Sequence, residues 1–256
     1  MRADVYLFRS GYANSRESAR KAIESGLCSV DGIQVPKASY EIDADSEHEV
    51  VFVPAHPYVG RGGLKLEGAL KAFPVNPAGL VCVDIGASTG GFTDCLLKNG
   101  ARKVFAVDSG HGQLAAELLA DSRVVPIEGF NAKNLTPGIL GEKCGLCVMD
   151  VSFISQTAIL PVIPALLTDD GCAITLIKPQ FEVGRSAVGK GGIVKKSSDR
   201  RDACRNVAEA ARMSGLYLNG LIKSPVTGGD GNTEFLAFFR RTEGYAVRYY
   251  LDRTAF

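Results

Sequence analysis

The sequence predicts an α/β fold: a Rossmann-like, mostly parallel sheet with helices on both faces, preceded by a small α+β domain. Three observations predict it. Apolar runs of strand length alternate with helical stretches over residues 80–239. One of those runs stops in a glycine-rich turn that opens a helix, Asp84-Ile-Gly86-Ala87-Ser88-Thr89-Gly90-Gly91-Phe92. Ahead of the alternation, residues 1–55 read as two short helices and a hairpin.

In that first segment, residues 3–12 and 15–25 are the expected helices, with Ser15 as N-cap and Gly26 as C-terminal stop. The runs 27–30 and 33–35 flank Asp31-Gly32, a hairpin signal, and 49–53 is a third strand. Arg16, Arg20 and Lys21 lie one turn apart on the second helix, and Lys37 follows the hairpin. The order Ser15-Arg16-x-x-Ala19-x-x-Ala22-Ile23-x-x-Gly26-x-x-x-Val30-Asp31-Gly32 resembles the small RNA-binding module of ribosomal small-subunit protein four and of pseudouridine synthases. The resemblance implies that Arg16, Arg20, Lys21 and Lys37 dock on structured RNA through phosphates and shape, with the acidic run 41–49 facing away.

Residues 56–63 are rich in glycine and proline and are expected to be a linker, so that a second domain covers 64–256. It opens with a helix expected at 64–73. Lys65 falls in the first turn, where a cation is electrostatically disfavoured, so a functional lysine competes with a surface accident.

Strands follow at 80–85, 104–108, 123–127, 146–150, 172–178, 216–222 and 234–239, with helices at 91–99, 158–167 and 202–214. Ligands of such sheets sit beyond the carboxyl ends of the strands. Asp84, Asp108, Asp150 and Lys178 each finish an expected strand, which should bring all four to one edge. The glycine turn, about two dozen residues before Asp108, suits an adenosine-type cofactor: backbone amides cradle it, and Asp108 takes the ribose hydroxyls. Ser88 stands where a dinucleotide fingerprint needs glycine. Gly86-x-Ser88-x-Gly90-Gly91 after Asp84 is similar to the first motif of S-adenosylmethionine methyltransferases, which makes S-adenosylmethionine the expected cofactor. Its expected contacts are Asp84, residues 86–92, Asp108, Asn131 and Asp150.

The acceptor is narrowed by elimination. Enzymes that methylate base amino groups carry Asp/Asn-Pro-Pro-Tyr/Phe after the fourth strand, where this chain has Asp150-Val-Ser-Phe153. Enzymes that methylate pyrimidine carbon use a cysteine, typically after proline, and no Pro-Cys occurs here. An oxygen acceptor remains.

Lys65, Asp150, Lys178 and Glu234, in that order, match the Lys-Asp-Lys-Glu set of RNA ribose 2′-O-methyltransferases of the FtsJ/RrmJ kind. Their flanks (residues 58–67, 84–94, 150–155, 176–182 and 190–194) resemble the TlyA (hemolysin A) family, and with the N-terminal module the resemblance spans essentially the whole chain. It implies methylation of a ribose 2′-hydroxyl of ribosomal RNA by those four residues, with Lys178 as the base. Arg61 and the glycine-rich basic stretch with Arg185, Lys190, Lys195 and Lys196 are the expected RNA grip beside the site.

Composition bounds the alternatives. The chain has 256 residues and a formal net charge of +1, so RNA must be held by local basic patches. Seven cysteines scattered in apolar runs suit a reducing cytoplasm, and the lone Cys144-x-x-Cys147 lacks a second ligand pair, so no metal is expected. No apolar run reaches the ~18 residues of a membrane helix, and a cytoplasmic protein with no membrane partner, monomer favoured, is the expectation. The competing functions are a non-catalytic RNA-binding or ribosome-assembly factor, a pore-forming haemolysin suggested by a family name, and a nicotinamide dehydrogenase disfavoured by Ser88.

Overall fold

The computed structural model describes residues 1–13 and 15–256. They form two compact units, Met1–Pro57 and Tyr58–Phe256. Residues 58–63, expected as linker, thus fall within the larger unit. There Tyr58 is buried, and the Val59 amide donates to Asp94 Oδ2 at 2.9 Å.

The smaller unit holds α1 (Ala3–Arg9), α2 (Arg16–Glu24), β1 (Cys28–Val30), β2 (Ile33–Gln34) and β3 (Val50–Phe52), the strands forming an antiparallel sheet of order β2-β1-β3. Ser15 caps α2 as expected, its Oγ accepting from the Ser18 amide at 3.1 Å. The β1–β2 turn places Asp31 and Gly32 at φ +51° and +74°. A tight hairpin needs that left-handed pair, and Asp-Gly supplies it at little cost. Leu7, Ala19, Ile23, Cys28, Val30 and Val35 close a core between the helices and the sheet.

The larger unit is built on seven strands: β4 (Val81–Ile85), β5 (Lys103–Val107), β6 (Val124–Ile127), β7 (Cys144–Met149), β8 (Leu167–Ile177), β9 (Tyr217–Lys223) and β10 (Phe235–Arg240). Their order is β6-β5-β4-β7-β8-β10-β9; β4 to β8 are parallel, and β10 runs antiparallel to both neighbours. Helices α3 (Gly62–Ala72), α4 (Gly91–Lys98), α5 (Ala116–Leu119), α6 (Pro137–Leu140), α7 (Ile163–Leu166), α8 (Pro179–Glu182), α9 (Ser197–Met213) and α10 (Val247–Leu251) complete it. Strand order reverses between β4 and β7, and a crevice opens at such a switch point. Alternation along β4 feeds two cores: Val81, Val83 and Ile85 join one with Ile163, Val207 and Ala211, whereas Cys82 joins another with Leu66, Leu96 and Phe238.

Three expected elements differ in form or extent. The helix at 158–167 is broken into 3-10 turns, Gln156–Ala158 and Leu160–Val162, followed by the four-residue α7. Pro161 and Pro164 lack the N–H groups that a continuous helix needs. The strand expected from 172 begins at Leu167, and the helix expected from 202 begins at Ser197.

Candidate active site

The turn after β4 is shaped by conformations that few residues tolerate. Gly86 has φ +85°, and a Cβ on it would lie 2.3 Å from the Asp150 carbonyl oxygen, so the tip of β7 abuts it. Ser88 sits at φ +49°, a left-handed conformation that costs a non-glycine residue energy. The strained turn aims the Ser88 amide at Asp108 Oδ2, 2.8 Å away, while the Gly110 amide takes Oδ1 at 2.8 Å. The carboxylate at the end of β5 is thereby fixed in direction, and each oxygen retains a free lone pair.

Two cavities adjoin at this turn. One of about 470 Å³ is lined by Asp108, Gln113, Phe130, Asn131, Phe153 and Ile154 among others. Another of about 260 Å³ is lined by Arg61, Lys65, Ala87, Thr89, Gly91, Phe92 and Lys178. Gly86, Ser88, Asp150 and Ser152 line both, so these residues form the neck between them. The larger cavity mixes apolar walls with a few fixed polar groups, the usual make-up of a small-molecule site.

The charged residues meet beside the neck. Lys178, the residue after β8, holds its Nζ 2.6 Å from Asp150 Oδ1 and donates to Ser152 Oγ at 2.8 Å. The contact with Asp150 is an ion pair without hydrogen-bond alignment, so Oδ1 is a buried acceptor lacking an aligned donor. Lys65, on the first turn of α3, donates to Glu234 Oε2 at 2.6 Å, and both side chains are buried. Burial pushes the Glu234 carboxyl above its ordinary value; Lys65 opposes this, Asp150 adds to it, and Lys178 opposes it. The helix-start position that disfavours Lys65 is thus offset by a buried partner 169 residues away in sequence.

Asp84 and Gly90 depart from the expectation. Asp84 lines neither cavity: it shares the face of β4 with Cys82, is wholly buried, and accepts from Thr93 Oγ1 at 2.7 Å. Strand parity is the reason, since residues 82 and 84 point under α4 while 83 and 85 point the other way. Burial, against the Thr93 bond and with help from the Asp150 and Asp108 charges, pushes its carboxyl up to about 7. Gly90, at φ +97°, faces Leu118 of α5, where a Cβ would come within 2.1 Å of a methyl. Asp108, Asp150 and Lys178 do line one edge, together with Asn131, whose Oδ1 also accepts from the Lys133 amide.

Several residues at the site escaped the reading of the sequence, Gln113, Phe130 and Ile154 of the larger cavity among them. Ser152 orients Lys178, and Phe153 is 94% exposed at φ +62°, its ring 5.4 Å from that of Phe181. An aromatic residue directly after a strand tip, among polar neighbours, was the available signal. A large apolar ring held in a disfavoured conformation in solvent is costly unless it has something to stack on.

The expected RNA contacts divide into cations paired with carboxylates and cations that stand exposed. Arg16 lies 3.1 Å from the buried Asp4, which also binds Arg2. Arg20 and Lys21 pair with Glu24 and Glu17 along α2, so the basic face of that helix is internally compensated; Lys37 is exposed. In the larger unit Arg185, Lys190, Lys195 and Lys196 are all exposed on the stretch between α8 and α9.

Comparison with known proteins agrees with this geometry. Residues 58–241 match the family model of FtsJ-like methyltransferases, and residues 1–48 match that of the S4 domain. Hemolysin A of Brachyspira hyodysenteriae is 42% identical over 240 residues, covering 93% of this chain and 99% of that one. The 16S/23S rRNA (cytidine-2'-O)-methyltransferase TlyA of Mycobacterium tuberculosis is 41% identical over 239 residues, covering 93% and 89%. A solved structure from Streptococcus thermophilus that carries a hemolysin name superposes with a TM-score of 0.77 at 37% identity, covering 99% of this chain and 94% of that one. The chain belongs to the FtsJ-like methyltransferase family.

Proposed function

We propose that this chain uses S-adenosylmethionine to methylate a ribose 2′-hydroxyl of ribosomal RNA. The observation that carries the reading is the pair of cavities joined at Gly86, Ser88, Asp150 and Ser152, with two lysines and two carboxylates beside the smaller one. The larger cavity fits the cofactor: Asp108 would take the ribose hydroxyls, Phe130, Asn131 and Ile154 the adenine, and Gly86 and Ser88 with Asp150 the amino-acid end. When bound, the cofactor supplies a methyl group on a positively charged sulfur.

A ribose hydroxyl in the smaller cavity must lose its proton as its oxygen becomes the nucleophile, and Lys178 is the group placed to take it. Asp150 and Ser152 fix the direction of its Nζ. Lys65 and Glu234 hold one another in a fixed orientation at the cavity wall. Positioning of the acceptor supplies much of the remaining acceleration; fixed geometry of this kind can be worth ~7–11 kcal/mol.

The exposed cations of the S4-like unit and of the stretch between α8 and α9 would bind the RNA backbone, and Phe153 offers a stacking surface for a base. The haemolysin name borne by some relatives finds no support in a spanning helix: none among the described residues is long and apolar enough to cross a membrane.

The test is methyl transfer from labelled S-adenosylmethionine to ribosomal RNA, with the modified ribose mapped by mass spectrometry. Lys178→Ala should bind the cofactor almost normally in calorimetry and fail to turn over. Undiminished transfer by that variant would remove Lys178 from the mechanism, and absence of labelling by the unmodified chain would leave the RNA-binding factor as the better reading.

A further inference from the structure

The stretch between α8 and α9 is anchored at one place. Its exposed lysines surround Val194, which is 1% exposed, and a tight turn in which Gly191 and Gly192 both have φ +77°. The anchor is Asn232, itself 1% exposed and three residues before β10. Its Oδ1 accepts from the Val194 amide at 3.0 Å, and its Nδ2 donates to the Gly192 carbonyl at 2.9 Å. A carboxamide is suited to this because one small side chain offers an acceptor and a donor side by side. Arg200 adds a bond from Nη1 to the Val194 carbonyl at 3.3 Å.

Asn232 also closes a turn that packs against Glu234. Its carbonyl accepts from the Gly228 amide at 2.9 Å, which closes a turn over residues 228–232. Gly228 packs so closely on the catalytic candidate that a Cβ there would sit 2.5 Å from Glu234 Oε1. The carboxylate of Glu234 is therefore held on one side by Lys65 and on the other by the turn that Asn232 closes. One residue bonds both the basic stretch and the support of the buried carboxylate.

We infer that Asn232 is a positioning residue that couples RNA engagement by Lys190, Lys195 and Lys196 to the placement of Glu234. The inference rests on the RNA methyltransferase reading and adds a coupling between its RNA-binding and catalytic parts. With the stretch seated, phosphate contacts to the lysines draw on the same bonds that steady the turn against Glu234. With it unseated, the lysines hang from a mobile loop and Glu234 loses one wall.

The test is a double-mutant cycle in the full chain, using ribosomal subunits from cells that lack this modification as the RNA probe. The variants are Asn232→Ala, the triple Lys190→Ala/Lys195→Ala/Lys196→Ala, and their combination. Asn232→Ala should lower turnover about tenfold, which corresponds to ~1.4 kcal/mol of barrier. It should also weaken RNA binding and shrink its salt dependence, while cofactor affinity in calorimetry stays unchanged. The triple variant should reduce the salt slope by ~1 for each phosphate contact removed. In the combined variant RNA affinity should fall no further than in the triple, because Asn232 acts on RNA through those lysines.

If Asn232→Ala fails to fold, Asn232→Asp replaces it in the cycle; it keeps an acceptor for Val194 and, ionised, loses the donor to Gly192. Additive losses of RNA affinity in an active background would overturn the inference. So would an unchanged salt slope, or a loss of cofactor affinity that follows a loss of thermal stability, which would mark Asn232 as merely structural. An unmodified chain that never labels RNA would overturn the parent reading and this inference with it.

Discussion

Replacing Glu234 with Gln tests the pair at the centre of the site. In the structure Lys65 Nζ and Glu234 Oε2 are 2.6 Å apart, with side chains 9% and 2% exposed, so water cannot replace the lost partner. Removing one member of a buried pair costs about 3–5 kcal/mol, mostly from the charge left behind. Glu234→Gln keeps an oxygen that can accept from Nζ and belongs near the lower end, at ~3 kcal/mol, whereas Glu234→Leu belongs near the upper end. Each ~1 kcal/mol moves the midpoint of a unit this size by roughly 2–4 °C, so the Gln variant should melt about 6–12 °C lower. The double variant Lys65→Met/Glu234→Leu removes both charges and should recover most of that loss, since apolar replacements of buried pairs are often neutral or better. It should nevertheless be inactive in methyl transfer, which separates the role of the pair in folding from its role in catalysis. The assay is urea unfolding of the wild type, Lys65→Met, Glu234→Leu and the double, scored as a cycle, with Glu234→Gln measured beside them. A coupling below ~1 kcal/mol, the range of exposed pairs, would refute the burial and mutual dependence argued above.

Other expectations follow from the same geometry. Asp108→Ala should weaken cofactor binding in calorimetry by about 1.5–3 kcal/mol, the worth of hydrogen bonds to a charged group; unchanged affinity would mean that the ribose sits elsewhere. Phe153→Gly should fold at least as well as the wild type, because φ +62° suits glycine, yet lose RNA affinity by about 1–3 kcal/mol if the ring stacks on a base. Intact RNA binding by that variant would leave the exposed ring without a role. Burial raises the pKa of Glu234, so acidification should protonate it, dissolve the Lys65 pair and cut turnover at a pH above the ordinary glutamate range. The effect on stability has the opposite sign: with the folded value raised, the contribution of Glu234 is complete below the unfolded value and lost as pH rises through the folded one. An acid limb of activity that coincides with unfolding would contradict this assignment.

Local signals carried much of the architecture. Asp31-Gly32 specified a hairpin because its two left-handed residues are available at low cost, and Ser15 marked the start of α2 because its hydroxyl serves an otherwise unpaired amide. The tips of β5, β7 and β8 were readable from polar residues that end apolar runs, and those tips do line one edge. The same rule misplaced Asp84. A strand end is a statement about sequence, but the face a side chain takes is set by parity, and parity put Asp84 beneath α4 against Thr93. The expected helix at 158–167 failed for a local reason that was in plain view: two prolines outweighed its apolar spacing.

By itself, then, the sequence determined the fold class and the glycine turn, since each depends on local propensity or on a motif with fixed spacing, while the four charged residues were proposed from a family resemblance. Only the tertiary structure decided how those four pair. Lys65 meets Glu234 because α3 packs beside the turn after β4 and β10 lies next to β8, Lys178 meets Asp150 because β7 pairs with β8, and no local preference encodes a contact across 169 residues. The structure likewise decided that Phe153 stands in solvent and that Asn232 ties the basic stretch to the wall behind Glu234. Burial made those pairings matter: out of water an unmatched charge or amide is expensive, so the fold that hides them must also match them.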